Sequence, residues 1–501
     1  MAETEFVGRY EELKLLDNLW ENPNATLLIL YGRRRVGKTR LLTHWLKSHS
    51  DRAIYWVAEP TSALDQLRSF SQALYNFTTP DAPAPLDFTY ANWEQALRQV
   101  ALLASEKRLA LVIDELPYLM DVNPEIVGTL QKTWDQWLSK SKLILALSGS
   151  QMGLMQEMLS YQEPLYGRAS AQVRLLPMRY SETKSFFPGY QAADRVAVYS
   201  IFGGVPAYWE RLDVEASVME NVRNQLLPAN TLMQEEPRLL LQDFISDLHN
   251  YVGIMRAIAA GAHTQNRLAS RTGLAPGHIS KYLSVLRDTG FVAREVPITE
   301  DINKSRRGRY FVTDPYLRFY YRFFATYQAQ LALGGQQQFL ESIERDLPQF
   351  IQDNTWRELC REWLLRASSH GEAPMPIEHV GGAWTGSYDY DVAGISEEQR
   401  TLILGVCMWD STPADLNTLK DLVLKTKAIV PKDGRWSVHY LGFASNGWTK
   451  EATTYAKGLA RKETAGKNWR AVGAELLDLG KVDSDLSRWS NGTSYKQSRL
   501  I

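Results

Sequence analysis

Residues 32–39 read Gly-Arg-Arg-Arg-Val-Gly-Lys-Thr, which fits the pattern G-x-x-x-x-G-K-[ST]. The glycines let the backbone wrap round a phosphate so that several N–H groups converge on it. Lys38 then neutralises charge at the β- and γ-phosphates, and the Thr39 hydroxyl is placed to ligate Mg2+. Gly32, Gly37, Lys38, Thr39 and the adjoining Arg40 are therefore expected to hold ATP or ADP with Mg2+. A second group follows in LALVIDELPYL, where an apolar run ends in Asp114-Glu115. A carboxylate at the C-terminal end of a strand lies in the crevice where open α/β sheets bind ligands. Asp114 is expected as the outer Mg2+ carboxylate, and Glu115 as the group that orients or deprotonates the attacking water.

Ser148 and Ser150 close another apolar run, LILALSGS, and are candidates for hydrogen bonds to the γ-phosphate or its water; the alternative is that they simply begin the next loop. Arg168 in PLYGR is either an arginine delivered to the γ-phosphate, where it stabilises transition-state charge, or a structural arginine at a helix end. With Lys38 and Glu115 it completes the candidate catalytic set. Arg33, Arg34 and Arg35 face either nucleotide, a partner or solvent.

The elements that must position these groups are legible up to about residue 180. Short continuous apolar runs (TLLILYG, AIYWVAE, LALVIDE, LILALSGS) alternate with amphipathic stretches, one of them a helix from Lys38 to about Ser48. This alternation predicts a parallel sheet covered by helices, and continuous runs suit strands buried on both faces. The expected class is α/β. From about 181 to 260 helical spacing takes over, and from about 347 a Trp-rich segment carries strand and helix signals of its own.

FVGRYEELKLL, LLILYGRRRVGKTRLL, LVIDELPYL, LILALSGS, PLYGR and IFGGVPAYW, in this order, resemble the archaeal-type ATPases of the STAND class, relatives of AAA+ proteins. The resemblance spans roughly residues 5–210. It implies that Phe6, Val7 and Gly8 lie near the adenine, that Gly204, Val205 and Pro206 contact the nucleotide from a lid, and that the protein is an ATP-driven switch or sensor. The domains expected on this basis are a P-loop ATPase core over 1–180, a helical lid over 181–260, a winged helix over 261–325, a helical linker over 326–346 and a nuclease-like domain over 347–501.

In the winged segment, Ile279, Leu283 and Leu286 recur at helical spacing and predict one buried stripe on a helix from Pro276 to Asp288. His278, Ser280, Lys281, Ser284 and Arg287 lie on its other face, suited to phosphates and base edges. FVAREVPI and GRYFVTD read as a hairpin whose loop holds Lys304, Arg306 and Arg307, beside Glu300 and Asp301. The partner of this segment is either DNA or another protein, self-association included.

The last segment resembles the C-terminal domain of the same family, which looks like a PD-D/E-x-K nuclease core. Asp391 matches its first acid and Glu358 the supporting helix glutamate. Where the family tends to read G-E-C-K-W, this chain has Gly405-Val406-Cys407-Met408-Trp409. A carboxylate and a lysine are missing, and without them Mg2+ has half its ligand charge. The expectation is a degenerate core; the alternative is a rearranged active site using the neighbouring Asp389.

The chain has 501 residues, about three domains' worth. With 56 Lys+Arg against 57 Asp+Glu, no chain-wide attraction to nucleic acid or anionic lipid exists, so any polyanion must meet a local patch. Two cysteines, Cys360 and Cys407, exclude a disulfide framework, and the start MAETEFVGRYEEL lacks an export signal. A cytoplasmic protein without membrane spans is expected. The functions weighed are a slow ATP-hydrolysing switch, a DNA-binding regulator with a structural nucleotide, and a nuclease with a rearranged site.

Overall fold

A computed structural model gives the fold; the residues described are 6–228, 231–242, 244, 248–459 and 464–490. The chain divides into two compact units. One comprises Met1–Met178 with Val205–Glu210 and Leu239–Phe244, the other Arg179–Gly204 with Arg211–Arg238 and Ile245–Ile501. The α/β class expected from the sequence is the class observed.

The first unit is built on β1 (Thr26–Tyr31), β2 (Ala53–Val57), β3 (Leu109–Asp114), β4 (Leu143–Gly149) and β5 (Ala171–Arg174), in the order β2-β3-β4-β1-β5. Every pairing is parallel. The continuous apolar runs have a simple cause, because β1, β3 and β4 are covered on both faces. Leu27, Ile29, Leu111 and Leu145 pack with Phe70, Leu97 and Leu130 from the helices Ala63–Thr78, Trp93–Leu103 and Ile126–Gln136. On the opposite face Leu28, Leu30, Val112 and Ile144 meet Leu16, Leu41 and Leu42 from Tyr10–Glu21 and Lys38–Lys47. Each fully buried Leu or Ile there contributes about 1.5–3 kcal/mol. The strand β5 was absent from the sequence expectation. It is a four-residue edge, AQVR, with alternating exposure, too short and too polar to stand out.

In the second unit, the helices Gln265–Thr272 and Pro276–Asp288 precede an antiparallel hairpin of β6 (Val292–Glu295) and β7 (Arg309–Val312). Thr264 caps the first helix by accepting from the Arg267 amide, and Gly273 at φ 71° ends it. Ile279, Leu283 and Leu286 are buried, and His278, Ser280, Lys281, Ser284 and Arg287 are exposed. Two long helical runs follow, each interrupted by a π-helical turn, at Tyr320–Phe324 and at Gln352–Trp356.

The C-terminal sheet has the order β12-β11-β10-β9-β8, where β8 is His379–Trp384, β9 Asp389–Ser396, β10 Thr401–Met408, β11 Trp436–Ala444 and β12 Trp469–Asp478. β8, β9 and β10 form an antiparallel meander, and β10, β11 and β12 run parallel. Helix Arg357–Ser369 covers one face through Trp363 and Leu364; Leu416–Lys425 and Lys450–Leu459 cover the other through Leu419 and Leu459. Among the described residues, no helix is long and apolar enough to cross a membrane.

Candidate functional site: the phosphate loop and its surroundings

The loop between β1 and helix Lys38–Lys47 takes a shape that its glycines alone permit. A Cβ on Gly32 would lie 2.4 Å from the Leu175 carbonyl oxygen, and Gly37 stands at φ 95° as the N-cap of the helix. Arg35, at φ 68°, holds the left-handed region without being glycine, a cost that surrounding structure must offset. Lys38 is buried, and its ammonium donates to the carbonyls of Gly32 at 2.9 Å and Arg33 at 3.2 Å. That charge therefore lies inside the ring of backbone where a phosphate would be wrapped.

At the C-terminal end of β3, the Thr39 hydroxyl donates to Asp114 Oδ2 at 2.7 Å. Tyr55, on the neighbouring β2, donates its hydroxyl to the same oxygen at 2.8 Å, and the Glu115 amide donates to Oδ1 at 3.0 Å. A hydroxyl and a carboxylate in contact are hard oxygen donors suited to Mg2+. Burial, and then the charge of Asp114, push the Tyr55 phenol well above its ordinary range, so it stays a proton donor. Tyr55 escaped the sequence reading; a tyrosine in an apolar strand beside the acidic one is the signal that was available.

Glu115 sits at φ 51°. Its Oε2 accepts from the Ser150 hydroxyl at 2.8 Å and the Ser150 amide at 3.2 Å. Ser148 is buried at the end of β4, and its hydroxyl has no hydrogen-bond partner among the described residues. Such a group carries a desolvation cost until something bonds it.

The N-terminal segment is fastened to the loop: Arg9 donates to the Val36 carbonyl at 2.9 Å and the Leu176 carbonyl at 2.8 Å. Gly8 beside it stands at φ 74°, and the Phe6 ring stacks on His44 of the phosphate-loop helix at 4.0 Å. The short helix Pro206–Trp209 is tied there as well. Arg33 donates to the Tyr208 hydroxyl at 2.7 Å, and Arg40 pairs with Glu210. Pro206, Tyr208 and Trp209 are buried. Neither arginine pairing was legible in the sequence, since nothing in a linear pattern relates residues 33 and 208.

Arg168 is held elsewhere. Its Nε and Nη2 donate to both oxygens of Asp135 at 2.8 Å, and Nη1 donates to the Pro164 carbonyl at 2.9 Å. The hydrogen bonds from Arg168 keep the Asp135 carboxyl below its usual range. In this structure Arg168 serves as a strut between helix Ile126–Gln136 and the PLYGR turn.

In the second unit, Asp391 Oδ2 accepts from the Cys407 amide at 3.0 Å, and its carbonyl accepts from Arg361 Nε at 2.6 Å. Burial pushes its carboxyl up, against the pull of that amide and of the Arg357 and Arg361 charges. Glu358 is not joined to it, but accepts from Arg318 Nη2 at 2.8 Å. Asp389 pairs with Arg309 at 2.6 Å.

Residues 6–212 match the model of a family described as an ATPase domain predominantly from Archaea. Over these residues the chain is similar to that family, and its parallel sheet with a phosphate loop is the fold of a P-loop ATPase core. Nucleotide binding, and ATP hydrolysis at the level of class, follow for this domain. Residues 320–419 match a second family, described as archaeal and bacterial proteins of unknown function. An uncharacterised protein of Methanocaldococcus jannaschii is 26% identical over 428 residues, 85% of this chain and 92% of that protein. An uncharacterised ATP-binding protein of the same organism is 54% identical over 43 residues, 9% of this chain and 73% of that protein. Among solved structures, the Walker-type ATPase of Pyrococcus abyssi aligns over 63% of this chain and 96% of that one, at 18% identity and a TM-score of 0.48. The ORC2 protein of Aeropyrum pernix, in its ADPNP–ADP complexes, aligns over 66% and 96%, at 12% identity and a TM-score of 0.41.

Proposed function

We propose that the chain is a cytoplasmic molecular switch that binds ATP, hydrolyses it slowly, and couples nucleotide state to engagement of DNA or another protein. The observation that carries this reading is the hydrogen bond from Arg33, in the phosphate loop, to Tyr208 in the lid segment Val205–Glu210. A phosphate arriving in the loop competes for the Arg33 charge, so nucleotide state bears directly on how the segment is held. The segment is continuous in the chain with Gly204 and Arg211, which belong to the other unit, so its displacement is passed on covalently.

In this reading Lys38 neutralises the phosphates, and Thr39 and Asp114 hold Mg2+, which when bound supplies positive charge against the γ-phosphate oxygens. Glu115, oriented by Ser150, takes the proton of the attacking water as ATP becomes ADP and phosphate. Ser148 offers its hydroxyl, which has no partner among the described residues, to the phosphate or water. Phe6, Val7 and Gly8 face the adenine, Pro206 approaches the nucleotide from the lid, and Arg40 answers to Glu210. Arg168 reaches the γ-phosphate only by leaving Asp135, so the reading gives it a structural part in the state seen here.

The two helices and hairpin of residues 265–312 are read as a winged helix. The exposed face with Lys281 and Arg287 is its candidate DNA surface. The hairpin loop favours a second, inward role: Arg307 pairs with Glu300 and donates to the Trp384 carbonyl at 3.2 Å, while Trp384 Nε1 donates to the Arg307 carbonyl at 3.0 Å. The C-terminal sheet is read as a degenerate nuclease core. Support comes from an antiparallel meander followed by a helix and a parallel strand, with Asp391 beside Cys407 and apolar Val406 and Met408 flanking it.

The test measures DNA affinity of the full chain with ADP and with a non-hydrolysable ATP analogue, at two salt concentrations, beside Lys281→Ala/Arg287→Ala. A nucleotide-dependent affinity that weakens in the variant supports the switch acting on DNA. Affinity indifferent to nucleotide assigns the chain to the DNA-binding regulators instead.

A further inference from the structure

A groove in the second unit is lined by none of the residues assigned above to the nucleotide. Two adjoining cavities, of about 420 and 390 Å³, share Ala260 and Arg271. His249, Gly253 and Arg256 of helix His249–Ala259, with its C-cap Ala260, recur at helical spacing and line one of them over about 16 Å. Five arginines line the two cavities, Arg256, Arg271, Arg318, Arg322 and Arg345, against two aspartates, Asp346 and Asp353.

Arg318 and Arg345 are ion-paired, with Glu358 and Asp346, and the other three have no acidic partner within ion-pair distance among the described residues. Arg256 donates to the Ala325 carbonyl at 3.1 Å and Arg271 to the Ala260 carbonyl at 3.3 Å, and neither has an acidic partner among the described residues. The Arg322 guanidinium lies over the Phe323 ring and makes no hydrogen bond or ion pair among the described residues, although Asp346 and Asp353 lie within its electrostatic reach. Arg318 is 4% exposed and fixed by the carbonyls of Val312 and Thr313 and by Glu358. Its Nη1 has no partner among the described residues, and the residue lines the larger cavity. The acids are themselves engaged: Asp346 pairs with Arg345 at 2.8 Å, and Asp353 accepts from Gln349 at 2.8 Å. Both π-helical turns open here, one supplying Arg322 and the other Asp353 and Asn354. Such turns sit frequently at functional sites.

A guanidinium fork matches the oxygens of a phosphate bidentately, and several such forks spread over two joined cavities suit neighbouring phosphates better than a single carboxylate. We propose that this groove binds a phosphate-ester or polyphosphate anion with at least two adjacent phosphate groups. A free small polyphosphate and the backbone of a single nucleic-acid strand share that chemistry. The proposal goes beyond the switch reading and does not rest on it.

The test uses the full chain with the phosphate loop kept filled by saturating ADP and Mg2+. Inorganic pyrophosphate is titrated calorimetrically, and a fluorescent single-stranded oligonucleotide is titrated by anisotropy. Arg271→Ala/Arg322→Ala should weaken at least one probe by about tenfold or more, since each charged hydrogen-bonding group removed is worth about that factor. A loss confined to pyrophosphate identifies a small-anion site. A loss confined to the oligonucleotide, with the salt slope shallower by about 1.4, identifies a strand. ATP turnover and the thermal midpoint should match the parent; if that variant misfolds, Arg256→Gln/Arg322→Gln takes its place. The proposal is overturned if neither probe binds below millimolar concentration. It also fails if both probes bind parent and variant equally, or if Lys304→Ala/Arg306→Ala in the hairpin loop removes binding that the groove variant retains.

Discussion

Tyr208→Phe isolates the link on which the switch reading depends. The substitution removes one oxygen and keeps the ring, which is buried in the short helix Pro206–Trp209. The Arg33 guanidinium lies 5.8 Å from the ring centroid, and that contact survives. What disappears is the 2.7 Å hydrogen bond from Arg33 Nη2. Hydrogen bonds to charged groups contribute about 1.5–3 kcal/mol, and solvent around the partly exposed Arg33 lowers this to about 1–1.5 kcal/mol. If the bond is made in one nucleotide state and broken in the other, the whole of it appears in the ratio of ADP to ATP-analogue dissociation constants. That ratio should then move towards unity by about five- to tenfold. Titration of full-length parent and variant with both fluorescent nucleotides measures it. A ratio unchanged within twofold, in a variant whose thermal midpoint is also unchanged, refutes the coupling through Tyr208.

Lys38→Ala should abolish ATP binding or turnover, whereas Glu115→Gln should retain binding and lose hydrolysis; a Glu115→Gln protein turning over at the parent rate removes Glu115 from catalysis. Asp135→Ala releases Arg168 from a surface pair worth about 0–1 kcal/mol, so a small fall in thermal midpoint with unchanged turnover is expected, and a large change in turnover would bring Arg168 back to the γ-phosphate. Burial holds the His439 imidazole down at about 4, below its usual value, so the unfolded chain takes up the proton first and stability present above about pH 6.5 is lost as pH falls towards 4. His439→Leu should recover about 2 kcal/mol of the loss between pH 7 and 5, read from urea midpoints at both pH values. The full chain should show no Mg2+- or Mn2+-dependent cleavage of single- or double-stranded DNA or RNA; cleavage that vanishes in Asp391→Ala would show a rebuilt site.

The parts of the fold legible in the sequence are those encoded by contiguous residues. The strands β1, β3 and β4 announce themselves because burial on both faces forces unbroken apolar runs, and Gly32 and Gly37 because the loop has no room for a Cβ at the one and needs a positive φ at the other. The edge strand β5 has four residues with one face wet, so its pattern carries no more signal than a loop. The strand β12 is a ten-residue run that the sequence reading did not name. Its Arg470, Glu475 and Asp478 interrupt the apolar pattern. Site residues divide in the same way. Lys38, Thr39, Asp114 and Glu115 follow from local motifs, whereas Tyr55, Arg9 and Tyr208 earn their places through contacts made only after the sheet has closed.

The C-terminal sheet shows how a reading by omission gains physical content. A buried carboxylate must be compensated by its neighbours, because an unpaired charge in an apolar interior is costly. Around Asp391 that compensation is present in this chain's own residues. The Cys407 amide donates to Oδ2, and Arg357 and Arg361 both act on the carboxyl from the helix that covers this face. Arg361 is itself anchored by Glu295 at 2.9 Å and by the Asp391 carbonyl, so its charge is fixed in place. Arg357 and Arg361 thus bring positive charge to the carboxyl but offset only part of the cost of its burial. A guanidinium neutralises a carboxylate but neither polarises a bound water nor loses a proton at working pH. On the proposed reading of this sheet as a degenerate nuclease core, Asp391 is an acid held by the Cys407 amide and drawn by the charges of Arg357 and Arg361. Because burial outweighs those attractions, Asp391→Asn, which keeps an acceptor for the Cys407 amide, should hold or slightly raise stability near neutral pH without touching ATP turnover; a clear fall in the urea midpoint would show that the charge itself is needed.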